Sequence, residues 1–172
     1  MNFELVSPET TDELLEVISE RRGKKFRFGA GGTDLILELK KQPEENLTVV
    51  NLGNLNDERF TSIETQDDGF RIGALVTAGG IAANPGLKKQ FAVLCEAANK
   101  LASRQIRQVA TVGGNLCTAS PAGDIACALM ALEARCEILS ARGMVRTIPI
   151  NDFFVGVRKT DLKRDEILRS VL

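Results

Sequence analysis

Ala110-Thr111-Val112-Gly113-Gly114-Asn115-Leu116-Cys117-Thr118-Ala119-Ser120-Pro121-Ala122-Gly123-Asp124 is the stretch on which the reading of this chain turns. Two adjacent glycines lead into a run of small hydroxyl and amide side chains, and an acid closes it. Glycine admits positive φ and lets another group come close to the main chain. Thr111, Asn115, Thr118 and Ser120 can donate hydrogen bonds, and Asp124 can accept them. The apolar run Ile125–Leu132 predicts a helix whose start faces this loop. Exposed backbone N–H groups beside a helix N-terminus attract anions, so the loop suits a phosphorylated or polyhydroxylated ligand. An ordinary glycine turn before a helix fits the same residues.

Earlier in the chain another glycine stretch, Phe28-Gly29-Ala30-Gly31-Gly32-Thr33-Asp34-Leu35, shows the same pattern. Lys25–Phe28 alternates as a half-buried strand does, and Leu35–Lys41 has helical periodicity. Thr33 or Asp34 can cap that helix while the glycines open N–H groups to a ligand; a turn without a ligand is the alternative. Around it, Phe3–Val6 reads as a strand. Ser7-Pro8 reads as an N-cap and first helical residue, and Leu14, Leu15 and Ile18 as the apolar face of a helix that Gly23 ends. Leu47–Asn51 is a β-branched strand. Residues 1 to about 55 thus make a small βαβαβ-like lobe.

From Leu52 to Glu58 the chain is polar and Asn-rich, as a connection would be. Phe60–Thr65 and Phe70–Gly73 read as a hairpin turning at Asp67-Asp68-Gly69. Thr77 caps a short helix ending near Asn84-Pro85, and Leu87–Leu101 reads as one amphipathic helix. Arg104 and Arg107 precede the central loop as phosphate partners or as salt-bridged surface groups. Beyond the helix at 124–133, Cys136–Ala141 and Val145–Ile150 predict a hairpin around Arg142-Gly143. Asn151–Phe154 reads as a turn, and Ile167–Leu172 as an apolar strand.

The 172 residues suffice for one domain or two small lobes sharing a core. A net charge of −1 gives no electrostatic case for nucleic acid or an anionic membrane. No apolar run reaches the roughly 20 residues of a membrane helix, and Met1–Leu5 lacks the pattern of a secretory signal. The expected location is the cytoplasm. Cys95, Cys117, Cys127 and Cys136 form no Cys-x-x-Cys pair, so no metal site is expected from this chain alone. The absence of histidine excludes a Ser-His-Asp or Cys-His nucleophile. No catalytic residue is assigned, and any redox chemistry here belongs to a bound cofactor.

Gly29–Asp34 lacks the third glycine of a dinucleotide fingerprint, because Asp34 stands there, and the two hairpins do not suit a Rossmann domain. The chain instead resembles the FAD-binding subunit or domain of the molybdenum hydroxylases, which include xanthine dehydrogenase, aldehyde oxidoreductases and aerobic carbon monoxide dehydrogenase. The resemblance runs from Phe3 to Leu172. It rests on Phe28–Leu35, on Arg104–Asp124 with its Thr-Val-Gly-Gly-Asn core, on Asn151-Asp152-Phe153-Phe154-Val155-Gly156, and on Lys159-Thr160 with Asp165-Glu166-Ile167-Leu168.

The resemblance implies an α+β, two-lobed FAD-binding fold of the PCMH type, with lobe 1 at about 1–55 and lobe 2 at about 56–172. It implies FAD between the lobes, its pyrophosphate against both glycine stretches. The implied cofactor-binding residues are Phe28, Gly29, Ala30, Gly31, Gly32, Thr33, Asp34 and Leu35 on one wall. Thr111, Val112, Gly113, Gly114 and Asn115 form the other. Asp124 is implied as a flavin or sugar acceptor, with helix N-cap as the bland reading. Leu101 and Leu168 are implied as apolar neighbours of the flavin, with simple core positions as theirs.

The implied partners are a molybdopterin-binding large subunit and a 2Fe–2S small subunit, with NAD a further candidate. The family's flavin subunit usually continues into a C-terminal domain bearing a flavin-contacting lysine, and the expectation is that this domain is absent here. Gln108 stands where the family often has asparagine. A covalent bond to Cys117 is not expected, and without histidine the histidyl flavin link of related oxidases is impossible. The implied activity is that of a flavoprotein oxidoreductase subunit, relaying electrons from iron–sulfur clusters through FAD to NAD or another acceptor. A flavin-binding assembly module without turnover is the alternative, and an NAD-binding Rossmann domain a third.

Overall fold

The computed structural model describes residues 2–172. The first lobe contains β1 (Glu4–Val6), α1 (Thr11–Glu20), β2 (Phe26–Gly29), α2 (Leu35–Lys41) and β3 (Thr48–Asn51). Its three strands are parallel in the order β1-β3-β2, with Val49 opposite Leu5 and Val50 opposite Phe28. A central parallel strand is buried on both faces, which suits the β-branched Thr48-Val49-Val50. Its two faces belong to different cores. Val49 packs with Leu35 and Leu39 of α2, whereas Val50 joins Leu14 and Ile18 of α1 in the main core. The small lobe therefore shares its core with the rest of the chain.

The second lobe runs through α3 (Glu58–Thr61), β4 (Ile63–Gln66), β5 (Gly69–Gly73), α4 (Ala78–Ala83), α5 (Pro85–Gln90), α6 (Ala92–Lys100), α7 (Arg104–Arg107), α8 (Val112–Thr118) and α9 (Asp124–Ala131). It ends with β6 (Arg135–Ser140), β7 (Val145–Pro149), α10 (Ile150–Phe153), β8 (Phe154–Gly156), β9 (Lys159–Thr160) and β10 (Glu166–Val171). The large sheet is antiparallel in the order β4-β5-β10-β6-β7. The last strand thus fills the gap between the two hairpins, and its Ile167, Leu168 and Val171 are buried. Among the described residues no helix is long and apolar enough to cross a membrane.

Four local expectations need correction. α1 starts at Thr11, not after Ser7: Thr10 Oγ1 accepts the Glu13 amide at 3.2 Å and Glu13 Oε2 accepts the Glu9 amide at 2.8 Å. This near capping box outweighs the Ser-Pro signal. Phe60 belongs to α3, capped by Asp57, rather than to the following strand. The helix expected over Leu87–Leu101 breaks at Phe91, whose ring packs edge-on to Phe70 at 5.9 Å. Asn151–Phe153 continues α10 instead of forming an open turn.

Candidate functional site

The first glycine stretch leaves β2 at Gly29, which is buried. A side chain at Gly31 would place its Cβ 1.9 Å from Val109 O, so glycine is what lets this loop touch the segment before α8. Gly32 has φ +70, a left-handed conformation that favours glycine. Asp34 is the N-cap of α2 but makes no side-chain capping bond; it accepts from Thr33 Oγ1 at 3.2 Å. Among the described residues, the amides of Ala30, Gly31, Gly32, Thr33 and Asp34 donate to no protein acceptor. Five successive residues thus carry unpaired N–H groups, donors left for a ligand.

The second stretch is not an open loop. Its glycines lie inside α8, although glycine is a poor helix former. Tertiary bonds impose the helix: Val112 N donates to Val76 O at 2.9 Å and Gly113 N to Ala74 O at 2.8 Å. Thr111 caps the helix, accepting the Gly114 amide at 3.1 Å. A Cβ at Gly113 would lie 2.7 Å from Ala74 Cβ and O, so this glycine serves packing. Gly114 is exposed, and a Cβ there would meet only Thr111 Oγ1, at 3.0 Å. The first-turn amides of α8 are already taken up, so the longest run of free amides is that of Ala30–Asp34.

Between these walls lies a cleft of about 790 Å³, within the usual size of a small-ligand site. Phe28, Ala30, Gly31, Gly32, Thr33, Asp34, Leu35, Leu101, Thr111, Gly114 and Asn115 line it, as the sequence reading grouped them. Gly29, Val112, Gly113, Asp124 and Leu168 are not on its surface. Gly29, Val112 and Gly113 are buried supports. Leu168 is a core residue of β10, 2% exposed. Asp124 is the exposed first residue of α9, whose N-cap is Gly123, so the N-cap alternative does not hold.

The cleft also gathers residues that the sequence reading did not assign. Thr118, Ser120, Cys117, Glu38, Arg27 and Arg158 lie on it. Arg27 donates to Glu38 at 2.6 Å and to Glu44 at 3.3 Å, and Arg158 reaches Glu38 from the second lobe at 3.2 Å. The two cleft arginines are thus ion-paired, which leaves anion recognition to the backbone amides. Sequence spacing gives no signal for a contact between positions 38 and 158. Cys117 is exposed to the cleft, yet desolvation by the surrounding protein pushes its thiol up to about 12. Asn115 Oδ1, on the same wall, is buried without a hydrogen-bond partner.

A two-lobed α+β fold with a donor-lined cleft between a glycine loop and a glycine-bearing helix defines a nucleotide-cofactor-binding domain. The sequence family described as the FAD binding domain in molybdopterin dehydrogenase matches residues 1–172, and the chain belongs to it. It is 37% identical over 139 residues to the xanthine dehydrogenase FAD-binding subunit of Escherichia coli O157:H7, covering 81% of this chain and 47% of that protein. It is 33% identical over 174 residues to the nicotinate dehydrogenase FAD-subunit of Eubacterium barkeri, covering 99% and 58%. The chain therefore spans about half the length of these relatives. Among solved structures, quinoline 2-oxidoreductase from Pseudomonas putida 86 superposes with a TM-score of 0.91 at 26% identity, over 99% of this chain and 58% of that one. Carbon monoxide dehydrogenase from Hydrogenophaga pseudoflava shares the fold, at a TM-score of 0.91 and 23% identity over 99% and 58%.

The residues present fit FAD. The row of free amides suits a pyrophosphate, the hydroxyls of Thr118 and Ser120 suit sugar or ribityl oxygens, and the Asn115 acceptor lacks a partner that an occupant's donor can supply.

Proposed function

We propose that this chain is the FAD-holding part of a molybdopterin dehydrogenase and serves its electron transfer. The observation that carries the reading is the run of unpaired amides at Ala30–Asp34, residues that line a cleft of cofactor size. These amides hold the pyrophosphate, Gly32 supplies the left-handed turn that aims them, and Gly114 leaves the opposite wall open. Leu101 and Ile106 present apolar surface, and Thr118 and Ser120 present hydroxyls. Bound FAD supplies the redox chemistry, taking up electrons singly and releasing them in pairs. The chain's own residues bind, orient and shield the cofactor; no acid–base group is needed.

On this reading a 2Fe–2S subunit delivers electrons, a molybdopterin-binding subunit oxidises the substrate, and NAD or another acceptor takes the pair. The test has two stages. Visible absorption of the purified chain, incubated with FAD and desalted, reads whether flavin is retained; retention supports the cofactor assignment and its absence refutes it. In the assembled complex, NADH reduction of the flavin supports an NAD-linked relay. A flavin that neither NADH nor the complex's substrate reduces makes the chain an assembly module instead.

A further inference from the structure

Three successive carbonyls, those of Leu101, Ala102 and Ser103, accept from one side chain and its own amide. Arg107 Nη1 donates to Leu101 O and to Ala102 O, each at 2.9 Å. The Arg107 amide donates to Ser103 O at 3.0 Å. These carbonyls follow the C-terminus of α6, where the chain passes through Leu101 at φ −61 into Ala102 at φ +39. The left-handed region is disfavoured for alanine, so the turn needs an external constraint. A cation beside the last carbonyls of a helix also opposes the negative end of its dipole. Leu101 and Ala102 line the cleft, whereas Arg107 does not. Arg107 is thus neither of the things its sequence suggested: its guanidinium bonds go to carbonyls, not to a carboxylate, and it does not line the cleft.

We propose that Arg107 is a positioning residue for the flavin cofactor. It clamps the Leu101–Ser103 turn so that the Leu101 side chain and the Ala102 backbone keep their place on the cleft wall. The proposal rests on the reading that this cleft holds FAD. It separates Arg107 from a phosphate ligand: the residue acts through wall geometry, so it sets both how tightly the flavin is held and what surrounds it.

The experiment compares wild type, Arg107→Met and Arg107→Lys by FAD titration with fluorescence detection and by visible spectra at saturating FAD. Methionine keeps the unbranched stem but removes both guanidinium bonds. Its FAD Kd is expected to rise about tenfold or more, with the bound-flavin bands shifted toward those of free FAD. Lysine, a shorter donor that keeps the charge, is expected to lie between methionine and wild type in both readouts. Wild-type affinity and unaltered bands in Arg107→Met overturn the proposal alone. A wild-type chain that takes up no FAD overturns the cofactor reading and the proposal with it. If Arg107→Met does not fold, Arg107→Lys decides: displaced bands support the clamp, and wild-type bands with wild-type Kd overturn it.

Discussion

Gly113 and Gly114 are adjacent in sequence yet have opposite duties, and substituting each in turn separates folding from binding. Gly114→Val projects a side chain into the cleft, because a Cβ there meets only Thr111 Oγ1, at 3.0 Å. Valine gains a few tenths of a kcal/mol in helix propensity over glycine, and the tight contact weakens the Thr111 cap by roughly 0.5–1 kcal/mol. Net stability should change by less than about 1 kcal/mol. Binding should change far more. Each charge-assisted hydrogen bond that a displaced phosphate loses is worth about 1.5–3 kcal/mol, so a single loss weakens FAD about 10- to 150-fold. Gly113→Ala has the reverse profile. Its Cβ would sit 2.7 Å from Ala74 Cβ and O, with backbone on that side unable to yield. Overpacking of this kind costs about 1–3 kcal/mol, or roughly 3–10 °C in Tm for a chain this size. The assays are thermal melts of the FAD-free chain and FAD titrations of both variants. Wild-type FAD affinity in Gly114→Val would refute the placement of the cofactor against α8. An unchanged Tm in Gly113→Ala would refute the packing role.

Three further outcomes follow from the geometry. Gly31→Ala forces the first glycine loop off Val109 O, where a Cβ would lie at 1.9 Å; FAD binding should weaken by about tenfold or more, and a titration giving the wild-type Kd contradicts the amide cradle. FAD should slow alkylation of Cys117, which faces the cleft, and leave exposed Cys127 unaffected. Because desolvation raises the pKa of the Cys117 thiol, little of it is thiolate at pH 8 and its alkylation should be slow; mass spectrometry showing no FAD effect on Cys117 argues against occupancy of the cleft. Glu166, 6% exposed, accepts from Arg146 at 2.7 and 2.9 Å and from the Lys163 amide at 2.8 Å. Burial raises its pKa, but these donors outweigh that and lower it from 4.5. Its stabilisation is therefore full above the unfolded pKa and fades as pH falls through the folded one. Glu166→Gln should cost about 2 kcal/mol at pH 7, less than a fully buried pair because Arg146 remains 30% exposed. That gap should narrow below pH 4.5, and a gap constant down to pH 3 rejects the assignment.

The sequence by itself determined the elements whose signals are local. Thr77 caps the helix it precedes, Asp67-Asp68 turns a hairpin, and the two glycine stretches flank the cleft. Such features follow from φ preferences and from hydrogen bonds spanning a few residues. Tertiary structure decided what each glycine is for. Gly113 looks like a ligand-binding glycine in the sequence but packs on Ala74, and Gly31, on the cleft, must be glycine because Val109 O would strike its Cβ. It likewise put Leu101 on the cleft and Leu168 in the core, although both are leucines in apolar surroundings. It made a helix of Val112–Thr118 through the carbonyls of Ala74 and Val76, against the propensity of its own glycines. It also brought Arg158 to Glu38 and gave the Arg107 guanidinium to two carbonyls. The physical reason is that backbone preference acts over a few residues. The partner of a side chain, or the atom a missing Cβ would strike, depends on how distant segments come together.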